Sequence, residues 1–244
     1  MKRLAITTLL ACISPVLWAQ TPALQAKTHE VTQKQELICI HEDNQKTCSR
    51  YSVSGLHTNW PWLNQLIRKQ AESEQPVFTA KRLPVPAGFD ANKDWEMQRE
   101  YEIEYTGLYR DLVGVSYTGW DYGNGAAHGN PYASHGVYDA KTQQAVNFTD
   151  MVAPAKKAAL EQLLQQRFGA WLTERYGDEG ELTEKVKLTN DVSFNDKGVV
   201  FHYGVYALGP YAMGAPDLEL TWKQVLPALK PQWQQRFKKA CTHQ

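Results

Sequence analysis

The segment PAKKAALEQLLQQRFGAWLTERYG, residues 154–177, contains the strongest helical pattern of the 244-residue chain. Its large apolar side chains recur at steps of three and four residues, which places them along one face of a helix. They are Leu160, Leu163, Leu164, Phe168, Trp171 and Leu172. Gly177 follows and is suited to the left-handed backbone that commonly ends helices. The segment therefore predicts an amphipathic helix that packs one face against another layer.

Strand patterns flank this helix on both sides along the sequence. Before it, Tyr101, Ile103 and Tyr105 alternate with Glu102 and Glu104, as in a half-buried strand. Further strands are predicted over residues 36–40, 49–53, 112–117, 136–139, 145–148, 199–208 and 218–220. A glycine-rich loop is predicted over residues 119–129. Shorter helices are predicted from Pro61 and over residues 222–229, and Pro231 is expected to end the second of them. The order predicts an α+β fold of mainly antiparallel sheets with amphipathic helices packed on them.

Residues 1–19 have the three parts of a secretory signal peptide. Met1-Lys2-Arg3 is basic, residues 4–17 carry no charged side chain, and Ala19 offers a small residue for cleavage. The apolar run is shorter than the roughly 20 residues that span a bilayer, and no later segment reaches that length. We therefore expect an exported protein without a transmembrane helix, located in the periplasm.

A second interpretation of the same stretch involves Cys12. Leu9-Leu10-Ala11-Cys12 resembles a bacterial lipobox, which would make Cys12 a lipid-anchored N-terminus. A membrane-anchored lipoprotein would also face the periplasm, so both interpretations place the remaining chain outside the cytoplasm. We expect that chain to divide into an N-terminal α/β subdomain, residues 20–98, and a C-terminal domain, residues 99–244.

The charge balance argues against nucleic acid as a partner. The chain has 26 basic and 26 acidic residues, which gives a formal net charge of +0 at pH 7. Nucleic-acid-binding domains carry a basic patch or stripe instead. The balance also gives no polybasic surface for anionic lipid.

Cys39 and Cys48 are the cysteines expected to form a disulfide. They flank a polar stretch centred on Asp43-Asn44, which predicts two strands joined by a turn. Disulfides persist in oxidising compartments such as the periplasm. No disulfide partner is then predicted for Cys241. The spacing of Cys and His residues does not supply a four-ligand zinc set, so neither a metal site nor another cofactor is predicted.

Two longer segments carry a resemblance to a known family. The first, residues 117–130, is YTGWDYGNGAAHGN, followed by YD at 138–139 and NFTDMV at 147–152; the second, residues 199–214, is VVFHYGVYALGPYAMG. In this order around an amphipathic helix, they resemble the RsiV-like domain, over about residues 100–230. The resemblance implies a bacterial envelope domain, since its relatives include ectodomains of lysozyme-sensing anti-sigma factors and domains beside peptidoglycan deacetylases. Neither neighbouring part is recognised in this sequence, so we expect a stand-alone binding domain.

His128 is the strongest candidate for a functional residue. It lies in the glycine-rich loop, where the backbone can approach a ligand closely. Asp121 and His135 each lie seven residues from it along the chain. The trio could form a metal or acid–base site. Alternatively, His128 ties the loop to the sheet through its two ring nitrogens.

Four aromatic residues complete the candidate ligand-binding set. Tyr206 and Tyr211 could anchor a partner at low entropic cost, or they could line the core. Trp120 and Tyr122 lie beside the loop and could stack on sugar rings. No catalytic residue is assigned, because the sequence has no nucleophile elbow and spacing alone does not identify a glycosidase carboxylate pair.

These features predict a secreted binding protein of the bacterial cell envelope. The expected partner is a wall-degrading protein, such as a lysozyme-type muramidase, or peptidoglycan itself. An enzyme, or an accessory of an enzyme, that acts on wall glycan through the His128 loop is the alternative. Immunity against a secreted toxin is a third function that the sequence leaves open.

Overall fold

The structure is a computed structural model that describes residues 22–30, 36–177 and 185–238. The predicted signal peptide, residues 1–19, and both Cys12 and Cys241 lie outside the described residues. Within the described ranges, no helix combines the length and apolar composition needed to cross a membrane.

The described residues form ten β-strands and five α-helices. The strands are β1 Ala26–Glu30, β2 Glu36–Glu42, β3 Gln45–Thr58, β4 Met97–Tyr109, β5 Leu112–Gly123, β6 Asn130–Asp139, β7 Gln144–Ala145, β8 Val192–Phe194, β9 Gly198–His202 and β10 Asp217–Thr221. The helices are α1 Pro61–Glu74, α2 Phe148–Met151, α3 Lys157–Tyr176, α4 Trp222–Val225 and α5 Pro231–Lys238.

The strands form two sheets. The large sheet has seven strands in the order β1-β3-β4-β5-β6-β7, and β2 pairs with the first half of β3. Only β3 and β4 pair in parallel among the described strands. The small sheet has the order β10-β9-β8 and is antiparallel. The predicted α+β fold with mainly antiparallel sheets is therefore confirmed. The division at residue 99 stays a prediction, and the large sheet takes strands from both sides of it.

The hairpin of β2 and β3 contains the predicted disulfide. Asp43 and Asn44 both have positive φ angles, +50° and +66°, as a two-residue type I′ hairpin turn requires. This register places Cys39 directly opposite Cys48, and the two sulfur atoms are bonded. The Cys39–Cys48 prediction is confirmed, and the bond is compatible with an extracytoplasmic location.

Strand β5 separates two apolar cores. Successive side chains of a strand point to opposite faces, so Val113, Val115 and Tyr117 contact the core that includes α1. Leu112 on the other face, with Val137 of β6, belongs to the larger core beneath the small sheet. The helix α3 buries Leu160, Leu164, Phe168 and Leu172 in that larger core. It ends at Gly177, whose φ of +79° lies in the left-handed region, so the predicted helix is confirmed.

Four predicted boundaries are wrong. The predicted strand 145–148 ends at Ala145, and Phe148 begins α2 instead. Residues 119–123 belong to β5 rather than to a loop, because β4 pairs with all five and β6 pairs with residues 119–121. The predicted strand 199–208 ends at His202, where the chain turns and Ala207 donates a backbone hydrogen bond to Gly204. Pro231 was predicted to end a helix, but it also begins the next one, α5, because proline suits the first turn of a helix.

Candidate functional site

Aromatic side chains cover one face of β5 near its C-terminal end. Trp120 and Tyr122 project from the same face, and their rings stack with centroids 5.6 Å apart and an interplanar angle of 7°. The ring of Trp95, two residues before the start of β4, lies 6.1 Å from the Tyr122 ring. The guanidinium of Arg50 in turn lies 5.3 Å from the centre of the Trp95 ring. All three aromatic side chains are partly exposed.

The loop between β5 and β6 packs flat on Trp120. A Cβ atom on Gly129 would lie 2.2 Å from the Trp120 ring, so only glycine allows this approach. The carbonyl of Gly129 accepts a hydrogen bond from the Tyr211 hydroxyl at 3.1 Å. It also lies 2.9 Å from Nδ1 of His128, which therefore acts as a donor. These contacts join the loop to the segment that follows β9.

That segment extends the row of rings. His128 stacks on Tyr211 with centroids 4.3 Å apart, and Tyr206 lies 5.7 Å from Tyr211. Tyr206 is 60% exposed and has a φ of +70°, which is uncommon for a residue other than glycine. Strained residues of this kind cluster at ligand sites and switch regions.

We call these six residues the aromatic strip: Trp95, Trp120, Tyr122, His128, Tyr206 and Tyr211. The strip brings together all five candidates from the sequence, and their role in ligand binding stays a prediction. Trp95 was missed, because no local pattern links it to β5. Its position depends on the pairing of Met97 with Gly123, which sets the two strand ends side by side.

The trio of Asp121, His128 and His135 has no common site in the structure. Asp121 points to the face of β5 opposite Trp120 and lies near Arg99; burial raises the pKa of its carboxyl. His128 contacts Tyr211 instead, and His135 lies against the small sheet. The interpretation in which His128 holds the loop agrees with its hydrogen bond and its stacking on Tyr211.

His135 takes part in a second constellation that the sequence did not reveal. It projects from β6 and stacks on His202 of β9, with ring centroids 3.7 Å apart. Each ring has its own carboxylate: Nδ1 of His135 lies 2.6 Å from Asp191, and Nδ1 of His202 lies 2.7 Å from Asp217. The hydrogen bond from His202 lowers the pKa of the Asp217 carboxyl.

The second nitrogen of His202 contacts Ser193 of β8. Nε2 lies 2.9 Å from Oγ of Ser193, so the order Asp217–His202–Ser193 matches that of an acid, a base and a nucleophile. Ser193 does not line the adjoining cleft. In this arrangement the serine hydroxyl holds the His202 ring in place. Among the described residues, no group of three or more His, Cys, Asp or Glu side chains could hold a metal ion.

A cleft of about 420 Å³ adjoins the two imidazole–carboxylate pairs. We call it the histidine cleft. The large sheet forms one wall and the segment after β9 forms the other. The lining residues are Thr118, Gly119, Pro131, Tyr132, Ala133, His135, Asp191, His202, Tyr203, Gly204, Val205, Gly214, Ala215 and Asp217. Most of this lining is apolar, and the polar groups converge at the two histidines.

Comparison with known proteins relates the C-terminal part of the chain to a family. Residues 148–223 match the model of a family described as "Protein of unknown function (DUF3298)". The match includes α3, the small sheet and the segment that carries Tyr206 and Tyr211. A search of curated proteins finds no match to the chain.

Two solved structures have a similar fold. One is a DUF3298 family protein from Pseudomonas aeruginosa PAO1, with 18% identity, a TM-score of 0.60, and coverage of 85% of this chain and 93% of that one. The other is a DUF3298 family member from Bacteroides fragilis, with 17% identity, a TM-score of 0.58, and coverage of 85% and 94%. At these identities the likeness concerns the fold.

Proposed function

We propose that this protein is a periplasmic binding protein of the bacterial envelope, and that the aromatic strip holds the glycan of peptidoglycan. The observation that carries the proposal is the clustering of accessible rings. The five residues that the sequence singles out lie in two stacked groups, Trp120 with Tyr122 and His128 with Tyr211 and Tyr206, and Gly129 joins the two groups. Rows of aromatic rings suit polysaccharides, because one face of a sugar ring presents C–H groups that pack on an aromatic face.

The polar groups along the strip suit the same ligand. Tyrosine, tryptophan and histidine combine an apolar face with a hydrogen-bonding tip. Sugar hydroxyls can pair with these tips while the ring faces stay in contact. Rigid aromatic anchors also lose little conformational entropy when they bind a partner. The resemblance of residues 100–230 to the RsiV-like domain also supports an envelope role.

A wall-degrading protein of the lysozyme-type muramidase class is the second candidate ligand. The observation that favours it is a row of carboxylates beside the strip. Glu100, Glu102 and Glu104 are exposed on β4, and Glu100 is the cross-strand partner of Trp120. An acidic row next to aromatic anchors would complement a basic protein surface and increase the rate of association.

Cosedimentation with purified peptidoglycan sacculi tests the proposal. We expect the wild-type protein to bind, and Trp120→Ala to bind at least about 10-fold more weakly, as for an aromatic anchor of an interface. Tyr176→Ala is the matched control, because Tyr176 is an exposed aromatic residue on α3, 53% accessible and outside the strip. Equal binding of the wild type and the Trp120 variant would exclude the strip as the site.

A parallel assay with a muramidase separates the two ligands. If the protein binds and inhibits the muramidase but does not bind sacculi, the ligand is the muramidase and not the glycan. Analysis of the sacculi after incubation tests the enzyme alternative, because a binding protein leaves the muropeptide profile unchanged. Failure of the protein to bind either ligand would reject the proposed function.

A further inference from the structure

The histidine cleft adjoins the aromatic strip. Pro131 at the mouth of the cleft is the cross-strand partner of Trp120. Thr118, also in the lining, precedes Trp120 by two residues on the same face of β5. On the opposite wall, Val205 immediately precedes Tyr206 of the strip. A chain-like ligand on the strip can therefore continue into the cleft without leaving the protein surface.

The mouth and the inner end of the cleft differ in chemistry. Pro131, Ala133, Gly204 and Ala215 are exposed at the mouth. They present small or apolar surfaces to an entering group. The inner end carries the His135–Asp191 pair and the His202 ring, whereas the Asp217 carboxylate that pairs with His202 is 63% exposed and lies at the protein surface. Binding sites for small ligands commonly have this form, with mostly apolar walls and a few convergent polar groups in about 300–1,000 Å³.

The polar atoms at the inner end accept hydrogen bonds. His135 donates from Nδ1 to Asp191, so Nε2 of the neutral ring carries a lone pair. Within the described residues, Nε2 of His135 makes no hydrogen bond, and neither does Oδ2 of Asp191 or of Asp217. A complementary ligand must therefore supply hydrogen-bond donors. Two carboxylates also oppose the entry of an anion such as a phosphate group.

The acceptors are held in place before any ligand arrives. Stacking of His135 on His202 fixes the plane of both rings. Asp217 and Ser193 occupy both nitrogens of His202, which leaves that ring no freedom to turn without losing a hydrogen bond. Groups that are already ordered cost less entropy on binding, so such a site gains affinity.

From these observations we infer that the histidine cleft is a binding site for a sugar residue of the glycan, an inference that rests on the proposed function of the strip. The hydroxyl groups of the sugar donate to Nε2 of His135 and to the free oxygens of Asp191 and Asp217. The C–H face of its ring packs on the apolar wall at Pro131. The strip then holds the neighbouring sugars of the chain, and the cleft fixes the position of one residue within it.

Calorimetric titration with soluble peptidoglycan glycan fragments, prepared by muramidase digestion, tests the inference. Ala133→Phe fills the mouth of the cleft from an exposed position of β6. Asp191→Asn replaces one acceptor oxygen with a donor. Both variants should bind at least fivefold more weakly than the wild type. Asp196→Asn is the matched control, because it makes the same change at an exposed carboxylate in the turn between β8 and β9, outside the strip and the cleft lining, and it should bind as the wild type does.

The outcomes separate the cleft from the strip. If Ala133→Phe binds the fragments as tightly as the wild type while Trp120→Ala does not, the cleft holds no sugar and the proposed function of the strip stands. If the wild-type protein binds no fragment, both proposals fall. Should Asp191→Asn unfold, as circular dichroism would reveal, the folded Ala133→Phe variant decides the result alone.

Discussion

Two clusters of aromatic rings in this protein have similar geometry and different surroundings. The inner aromatic cluster consists of Tyr109, Phe148, Phe194, Trp222, Trp233 and Phe237, and its neighbouring centroids lie 4.7–6.4 Å apart. The aromatic strip has comparable spacings. Phe148 and Phe237 of the inner cluster are buried and the other four pack against the larger core, whereas no residue of the strip is buried.

The difference shows that ring stacking alone does not reveal what an aromatic cluster does. In the inner cluster, helices α2, α4 and α5 and strands β4 and β8 supply rings that face one another and pack into the larger core. In the strip, the rings pack on their neighbours, but each residue stays partly or fully exposed. Truncation of an inner ring should therefore reduce the stability of the fold, and truncation of a strip ring should reduce binding.

Phe148→Ala should give the largest loss of stability. Phe148 is fully buried at 0% exposure, and its ring packs edge-on against Phe201 at 4.9 Å. Removal of a buried phenylalanine ring leaves a cavity and costs about 3–5 kcal/mol of unfolding free energy. Urea denaturation followed by circular dichroism measures the loss. A loss below about 1 kcal/mol, as for an exposed site, would contradict the distinction between the two clusters.

Removal of the disulfide should have a smaller effect. The double variant Cys39→Ser, Cys48→Ser releases a loop of about ten residues, which corresponds to about 2.7 kcal/mol in the chain-entropy model. The hairpin lies far along the large sheet from the inner cluster. Denaturation of the variant, compared with the wild type under reducing and oxidising conditions, measures the difference. An equal midpoint for the oxidised wild type and the variant would contradict this contribution.

Local patterns of the sequence predicted several elements well. The apolar stripe of α3 and the Asp43–Asn44 turn depend on residues close together in the chain, and both agree with the structure. The continuation of β5 through Gly119 was not predictable in this way. Glycine disfavours strands, but pairing with β4 and β6 on both sides outweighs that preference, and Gly119 leaves room for the Tyr132 ring.

The candidate site was predicted in its parts and not in its arrangement. Trp120 and Tyr211 were singled out separately, and only the packing of the loop on the sheet shows that Gly129 connects them. The stacking of His135 on His202 joins two different sheets. Such a contact depends on the tertiary fold, and no spacing in the sequence predicts it.

The attachment of α5, which carries two rings of the inner cluster, should depend on pH. Arg236 on this helix pairs with Asp111 and Asp139. Burial by itself would raise the pKa of each carboxyl, but hydrogen bonds from Arg236 and Lys141 outweigh it and lower both pKa values. A lowered folded-state pKa stabilises the fold above the unfolded value near 3.9, and this stabilisation is lost as the pH falls through the folded-state values.

Denaturation at pH 6 and pH 3 measures this contribution. We expect the unfolding free energy to fall by about 1–3 kcal/mol at the lower pH, the range for hydrogen bonds to charged groups. The fall should be smaller in Asp139→Asn, because this variant no longer titrates at that position. An identical pH dependence in the variant and the wild type would show that the Asp139–Arg236 pair does not contribute.

Trp120→Ala should give the smallest change in stability. Its ring is partly exposed and contacts mainly Gly129 and Tyr122. We expect the unfolding free energy to change by less than about 1 kcal/mol, as at most surface positions, while glycan binding is lost. Urea denaturation beside the sacculi assay measures both. A loss comparable to that of Phe148→Ala would place Trp120 with the structural rings.

The most direct test of the account follows the indole N–H signals by nuclear magnetic resonance while soluble glycan fragments are added. Trp95 and Trp120 of the strip should shift progressively with glycan concentration. Trp222 and Trp233 of the inner cluster should not, since Trp222 already donates its indole N–H to the Asn195 carbonyl at 2.9 Å. Shifts confined to Trp222 and Trp233, or no shift at any tryptophan, would contradict the assignment of the strip as the glycan-binding surface.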